Sequence, residues 1–294
     1  MDFIQYSRNL HIGFLYNPNM KLVNLIENTT GHDGCTPLHG LSFYIETLSH
    51  KILMDAGPSD QILANASVLG VDLSQVDVCV LSHGHYDHSG GLLPFAGMND
   101  TAKIYMQIKA ADDYYAYDGP EAGYRYIGID KLIPHLPSVY PLNGSFTLDE
   151  EVSLITVEER EHPIPSTNKR LMRKAGEDYV ADDFSHEQSL VITEGEKNVL
   201  MCGCAHNGIL NILDAFEERY GRSPDVVIGG FHLMRRSGET EEDLDTARDI
   251  ARKLSSLDTV FYTCHCTGEV CYSVMKEIMG DKLSYIHCGE SLTI

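Results

Sequence analysis

Ser82-His83-Gly84-His85-Tyr86-Asp87-His88-Ser89-Gly90-Gly91-Leu92 sets three histidines and one aspartate within six residues. The run before it, Val76 to Leu81, is apolar and rich in β-branched residues, which predicts a buried strand. The polar segment therefore begins where a strand ends. In an extended turn His83 and His85 point to one side, while Asp87 and His88 address a second point in space. Neutral imidazole and carboxylate are ligands of zinc, iron or manganese, and a site with open coordination positions is catalytic.

Upstream, Lys21 to Glu27 alternates apolar and polar residues and predicts a strand. Gly40–Glu46 and Lys51–Met54 predict a hairpin around Ser49-His50, ended by Asp55-Ala56-Gly57. Ser59 is placed to cap a helix running to about Leu69, with Gly70 as its stop. Downstream, residues 105–126 hold six of the sixteen tyrosines, which predicts either an aromatic wall over the site or ordinary packing. Residues 146–157 carry two strand-like runs. Residues 158–187 lose periodicity and contain Arg160, Lys169, Arg170, Arg173 and Lys174, a basic excess that suits a lid over an anionic substrate.

Beyond this loop, Gln188–Thr193 and Asn198–Cys202 predict strands, and Asn207 a helix cap with Gly221 as the stop. Val226–Ile228, Thr259–Thr263 and Leu283–His287 predict further strands. Thr240-Glu241-Glu242-Asp243 opens a helix with acidic residues where the dipole favours them, and Thr267 is placed to cap another. No repeat or linker divides residues 1–294, so the expectation is a single domain with an irregular loop or lid over about 158–187.

The balance of 22 Lys+Arg against 43 Asp+Glu gives a net charge of −21, which repels phosphate backbones and argues against a nucleic-acid enzyme. The start, Met1 to Gln5, lacks a basic and apolar leader, and no apolar run reaches membrane-spanning length, so a cytoplasmic location is expected. The eight cysteines then read as free thiols or ligands rather than disulfides.

The HxHxDH segment and its trailing Ser-Gly-Gly-Leu resemble the signature of the metallo-β-lactamase superfamily. That resemblance implies an α+β fold, a four-layer αβ/βα sandwich holding one or two metals at the edge between its sheets. Cys202-Gly203-Cys204-Ala205-His206-Asn207-Gly208, Gly230-Phe231-His232-Leu233 and Cys264-His265-Cys266-Thr267-Gly268 extend it. Together they are similar to the branch that contains the dihydropterin–ribofuranosyl-aminobenzene phosphate synthase of methanopterin biosynthesis.

The resemblance implies two divalent metal ions, zinc first with iron or manganese as alternatives. It assigns His83, His85 and His206 to one ion, with His186 and His162 as rivals to His206, and Asp87, His88 and His265 to the other. His232 is expected to touch substrate or support the ligands, and Arg170 and Arg173 to bind its anionic part. His11, His32, His50, His135 and His287 lack a ligand-like context. Many superfamily members have an aspartate after Gly203 that bridges the metals; Cys204 stands there, and its thiolate is a further candidate ligand.

The leading expectation is a metal-dependent hydrolase in which metal lowers the pKa of a bound water to about 7, with Asp87 steering the water onto a small, anionic substrate, phosphorylated or carboxylated. The alternative is a pterin-type synthase on the same site, with tyrosines stacking on the pterin. A second alternative is an iron-binding redox or sensing protein, because Cys202, Cys204, Cys264, Cys266 and Cys271 cluster beside the candidate ligands. No nucleic-acid or membrane partner is expected, and homo-oligomers remain open.

Overall fold

The computed structural model describes residues 20–294. His11 and the leading residues Met1 to Gln5 lie outside the described residues. The first half runs β1 (Lys21–Ile26), β2 (Ser42–Glu46), β3 (Lys51–Met54), α1 (Gln61–Val68), β4 (Val78–Val80), α2 (Tyr86–Ser89), α3 (Leu92–Met98), β5 (Lys103–Gln107), β6 (Tyr114–Tyr117), β7 (Tyr124–Tyr126) and β8 (Val139–Leu142). The second half runs β9 (Phe146–Thr147), β10 (Val152–Ile155), β11 (Leu171–Ala175), β12 (Asp178–Ala181), β13 (Ser189–Glu194), β14 (Lys197–Cys202), α4 (Ile209–Tyr220), β15 (Val226–Gly229), α5 (Glu241–Ser255), β16 (Val260–Thr263), α6 (Glu269–Met279), β17 (Leu283–Tyr285) and β18 (Ser291–Thr293).

Two seven-stranded sheets form the body, in the orders β18-β1-β2-β3-β4-β5-β8 and β17-β16-β15-β14-β13-β10-β9. Their facing sides share one core. Phe43, Ile45, Ile52 and Met54 of the first sheet meet Leu190, Ile192, Val199 and Met201 of the second. The intervening residues Tyr44 and Leu53 point the other way and pack under Ile62, Ala66, Leu92 and Phe95 of α1 and α3. This period-two alternation makes each strand serve two layers. On the far side, Val191, Leu200 and Val227 pack against Ile212, Phe216, Ala247, Leu254 and Met275 of α4, α5 and α6. The result is the expected four-layer αβ/βα sandwich. Each fully buried Phe or Leu in these layers contributes about 1.5–3 kcal/mol.

Strands β3, β4, β5 and β8 run parallel, as do β14, β15, β16 and β17. Parallel strands end on one edge, and loops at carboxyl ends of such strands are where ligands bind. The loops after β4, β14, β15 and β16 all carry histidine or cysteine.

A third sheet, ordered β12-β11-β6-β7, lies outside the two main ones. It corrects the expectation that 158–187 is irregular. Leu171–Ala175 and Asp178–Ala181 form a hairpin, and Leu171, Met172 and Arg173 pair with Ala116, Tyr115 and Tyr114 of the tyrosine-rich segment. The pairing joins residues 55 to 59 positions apart, so no local period announces it. Tyr114, Ala116, Ile127, Leu171 and Phe184 form its small core, with Tyr86 of the histidine loop packed against it.

Three helix starts differ in detail from expectation. Asp60 holds the cap position of α1, while Ser59 Oγ accepts from Gln61 N at 3.3 Å. Gly208 and Gly268 stand at the caps of α4 and α6 with φ of 85° and 74°, a region that favours glycine. Asn207 and Thr267 are used elsewhere. Thr240 and Asp243 do form a reciprocal capping box on α5.

Candidate metal centre

Three of the histidine-bearing loops, those after β4, β14 and β16, are each anchored by one buried carboxylate. Asp55, at the end of β3, accepts from Ser82 N, Ser82 Oγ and His88 Nδ1, each at 2.7 Å. Glu187 accepts from His206 N at 2.6 Å and from Asn207 N and Nδ2 at 2.8 Å. Glu27 accepts from His265 N and Tyr285 Oη, both at 2.7 Å. Burial raises the pKa of Glu187 despite these donors. The glycine pair that closes the histidine loop has a steric reason. A Cβ at Gly90 would lie 2.1 Å from Pro58 O, and one at Gly91 would lie 2.2 Å from Ala56 O. Only glycine lets α2 pass directly over the Asp55 turn.

The same supports decide which ring nitrogen each histidine presents. Ser82 Oγ donates to Asp55, so it accepts from His83 Nδ1 at 2.8 Å. His88 Nδ1 donates to Asp55. His206 Nδ1 donates to Asn168 Oδ1 at 2.9 Å, and Asn168 Nδ2 donates back to His206 O at 2.7 Å. His265 Nδ1 donates to Asn28 Oδ1 at 2.9 Å. With Nδ1 carrying the proton, Nε2 of His83, His206 and His265 keeps its lone pair and faces inward. Nε2 of His83, His85, His206 and His265 and Nδ1 of His232 are buried without a hydrogen-bond partner. Unsatisfied buried polar atoms are rare, and a convergent set of them fits a metal ion.

The rings form one continuous cluster, in which the His83 and His88 centroids, 4.2 Å apart, join two sets. His83, His85 and His206 have centroids within 4.6 to 4.9 Å of one another. His88 and His265 lie 5.0 Å apart, with Asp87 Oδ2 at 3.8 Å from His88 Nε2 and 3.6 Å from His265 Nε2. Cys204 completes compact groups on both sides, with His83 and His206 and with His88 and His265. Its Sγ lies 3.2 Å from His88 Nε2.

Burial, reinforced by neighbouring imidazoles, holds His83, His85, His206 and His265 well below the usual histidine pKa. They are neutral, as ligation demands. Burial also lowers His88, but the carboxylates of Asp55 and Asp87 outweigh it and raise the pKa to about 9.

The rival histidines are committed elsewhere. His186 receives Gly84 N on Nδ1 at 2.9 Å and faces Asp182 through Nε2 at 3.1 Å, although it also forms a compact group with Asp182 and His85. His162 contacts Asp214 and Lys253.

A cavity of about 240 Å³ opens onto these groups, and His85, Asp87, Cys204, His206, His232, His265 and Cys266 line it. Arg125, Arg170, Arg235 and Arg236 stand on its walls. Arg125 and Arg170 share Asp118, at 2.7 and 2.6 Å, and Arg170 Nε is buried without a partner. Arg173 is not among the lining residues: it lies in β11 opposite Tyr114 and Val180. None of the six tyrosines of 105–126 lines the cavity either. Tyr124 stacks on Tyr179 at 3.7 Å, and Tyr115 packs against Tyr126 and Tyr179, within the third sheet. The cysteines are free and buried, and no disulfide forms among the described residues.

Among the described residues five non-glycine residues have positive φ: Asp55, Phe184, Ala205, His232 and His265, between 50° and 59°. All are in or beside the centre; Phe184 stacks on the His206 ring at 4.8 Å. Such conformations cost about 1–3 kcal/mol each and collect at functional sites.

Residues 35–257 match the family described as the metallo-beta-lactamase superfamily. The chain belongs to this superfamily. Its members typically bind divalent metals. The chain is 27% identical over 282 residues to an uncharacterized protein of Methanocaldococcus jannaschii, covering 93% of this chain and 100% of that one. It is 27% identical over 294 residues to the 7,8-dihydropterin-6-methyl-4-(beta-D-ribofuranosyl)-aminobenzene-5'-phosphate synthase of the same organism, covering 92% and 96%. A crystal structure described as a metal-dependent hydrolase of the beta-lactamase superfamily is 26% identical, with a TM-score of 0.76 and coverage of 94% and 99%. Among the described residues no helix is long and apolar enough to cross a membrane.

Glu27, Asn28, Asn168 and Glu187 were not predicted from sequence, because an isolated Asn or Glu carries no local signal. Arg125, Arg235 and Arg236 were missed because the cavity that joins them exists only in three dimensions.

Proposed function

We propose that this superfamily member is a metal-dependent hydrolase of small anionic substrates. The observation that carries the reading is the set of buried, partnerless Nε2 atoms on His83, His85, His206 and His265: the last three line one cavity, and the His83 ring packs against those of His85 and His206. His83, His85 and His206 would hold one divalent ion, zinc in the first instance. Asp87, His88 and His265 would hold a second, with Cys204 between them. Bound metal supplies an activated water and polarises the bond under attack.

The chain does the rest. Asp55, Asn168 and Asn28 keep His88, His206 and His265 protonated on Nδ1, so that each ring is fixed in one orientation. Asp87 orients the attacking water. Arg170 and Arg125 offer planar donors to a phosphate or carboxylate, Asp118 holding both in place until substrate arrives. Residues 158–187 would cover the substrate as part of the single domain. The net charge of −21 disfavours nucleic-acid substrates.

A second reading, a synthase on the same centre, is supported by the full-length similarity to the named synthase. Aerobic and anaerobic preparations should first be analysed for metal, then assayed with phosphoesters, lactones and pterin precursors. Two or more divalent ions per chain and hydrolysis of phosphoesters or lactones would support the hydrolase. Turnover only with pterin precursors would transfer the conclusion to the synthase. Irons with matching sulfide would overturn both readings.

A further inference from the structure

Cys266 and His232 take no part in the two ligand sets above, yet both face the cavity. Cys204, His232 and Cys266 form a third compact group, with one sulfur or nitrogen atom from each lying within 4.8 Å of the others. Cys266 sits in the short turn after β16, and His232 follows β15. Backbone and sterics both favour this arrangement. His232 holds φ at 50°, in the left-handed region, where a non-glycine residue is uncommon. Its backbone N donates to Cys266 Sγ at 3.3 Å, and its carbonyl accepts from Thr167 Oγ1. Its Nδ1 is buried without a partner. A Cβ on Gly230 would come within 2.4 Å of Cys266 Sγ, so glycine there leaves the sulfur its space.

We propose that Cys204, His232 and Cys266 form a third metal position, selective for a thiophilic divalent ion such as zinc or cadmium. Two sulfurs and one imidazole with an open side toward the cavity make a donor set of the kind that leaves a coordination place for a further ligand. Softness separates it from the neighbouring positions, where nitrogen and carboxylate oxygen predominate. Cys204 is the shared corner: its thiolate belongs to the third position and also borders the imidazoles of His83, His206, His88 and His265. An ion held there would be reached through the same cavity that Arg170 and Arg235 line. The inference concerns metal binding alone and holds whichever reaction the protein performs.

The test uses the full chain, purified without oxygen, stripped with a chelator and titrated with cadmium. Bound ions are counted by elemental analysis, and sulfur ligation is followed by the thiolate-to-cadmium charge-transfer band. Cadmium NMR of the loaded parent should show one ion bound by two sulfurs, a result that needs no variant to fold. Cys266→Ser should lower the count by one and roughly halve the charge-transfer intensity. His232→Gln should weaken that ion by about tenfold or more while leaving the imidazole-held ions in place. A loaded parent in which no cadmium has two sulfur ligands overturns the proposal. So does a folded Cys266→Ser variant with the parent's ion count and band.

Discussion

Replacing Asp55 by asparagine tests the central physical claim, that one buried carboxylate organises the histidine loop. Asp55 is fully buried and accepts three donors at 2.7 Å. Asparagine keeps the volume, so no cavity forms. Its carbonyl oxygen can still accept from Ser82 N. Its amide group then meets Ser82 Oγ and His88 Nδ1, which both donate in the parent. Removing one member of a buried charged pair costs about 3–5 kcal/mol. Ser82 Oγ and His88 would turn to find new acceptors, and His83 Nδ1, which relies on Ser82 Oγ, would lose its fixed tautomer. Losing such a supporting contact weakens metal binding by about 10- to 100-fold, or about 1.4–2.7 kcal/mol. Urea unfolding of the metal-free protein reads the first quantity, and chelator competition with zinc reads the second. A variant with the parent's unfolding midpoint and a zinc affinity within about threefold of the parent would refute the reasoning.

Other consequences follow from the same geometry. His85→Ala should abolish turnover while the fold persists by circular dichroism; an active variant would remove His85 from the centre. Arg170→Ala should raise KM for a phosphorylated substrate about tenfold, whereas Arg173→Ala should leave it unchanged, because only Arg170 lines the cavity. In the metal-free protein the raised His88 pKa of about 9, against an ordinary 6.5, predicts a pH-dependent stability. The stabilising contribution of protonated His88 is fully present below about pH 6.5 and is lost as pH rises through about 9, so the urea midpoint should fall across that window. Phe43→Ala, at the junction of the two sheets, should cost about 3–5 kcal/mol in the same assay without altering the number of metal ions bound.

Much of the sandwich was legible in the chain because short apolar runs mark its strands and α5 carries a strong start signal. Gly40–Glu46 and Lys51–Met54 read as strands and are β2 and β3, and Thr240 with Asp243 marks the start of α5. The histidine loop was legible because metal chemistry needs several ligands close together. The third sheet was not, since β6 and β11 are held by each other across the chain rather than by their own periodicity. That hidden pairing is also why Arg173 and the tyrosines looked like site residues: their neighbours in space were unknown. The buried supports Glu27, Asn28, Asn168 and Glu187 show a further limit. What qualifies them is hydrogen bonding to distant parts of the chain, which leaves no mark on the residues beside them.

The left-handed backbone at Asp55, Ala205, His232 and His265 makes the centre a predictable target for laboratory evolution. Among these four, only Ala205 has no polar side chain for which the conformation must be kept. Selection for heat resistance alone should therefore find Ala205→Gly early, while leaving the other three untouched as long as activity is also demanded. Relaxing both demands in turn would separate the residues that keep the protein folded from those that keep it working.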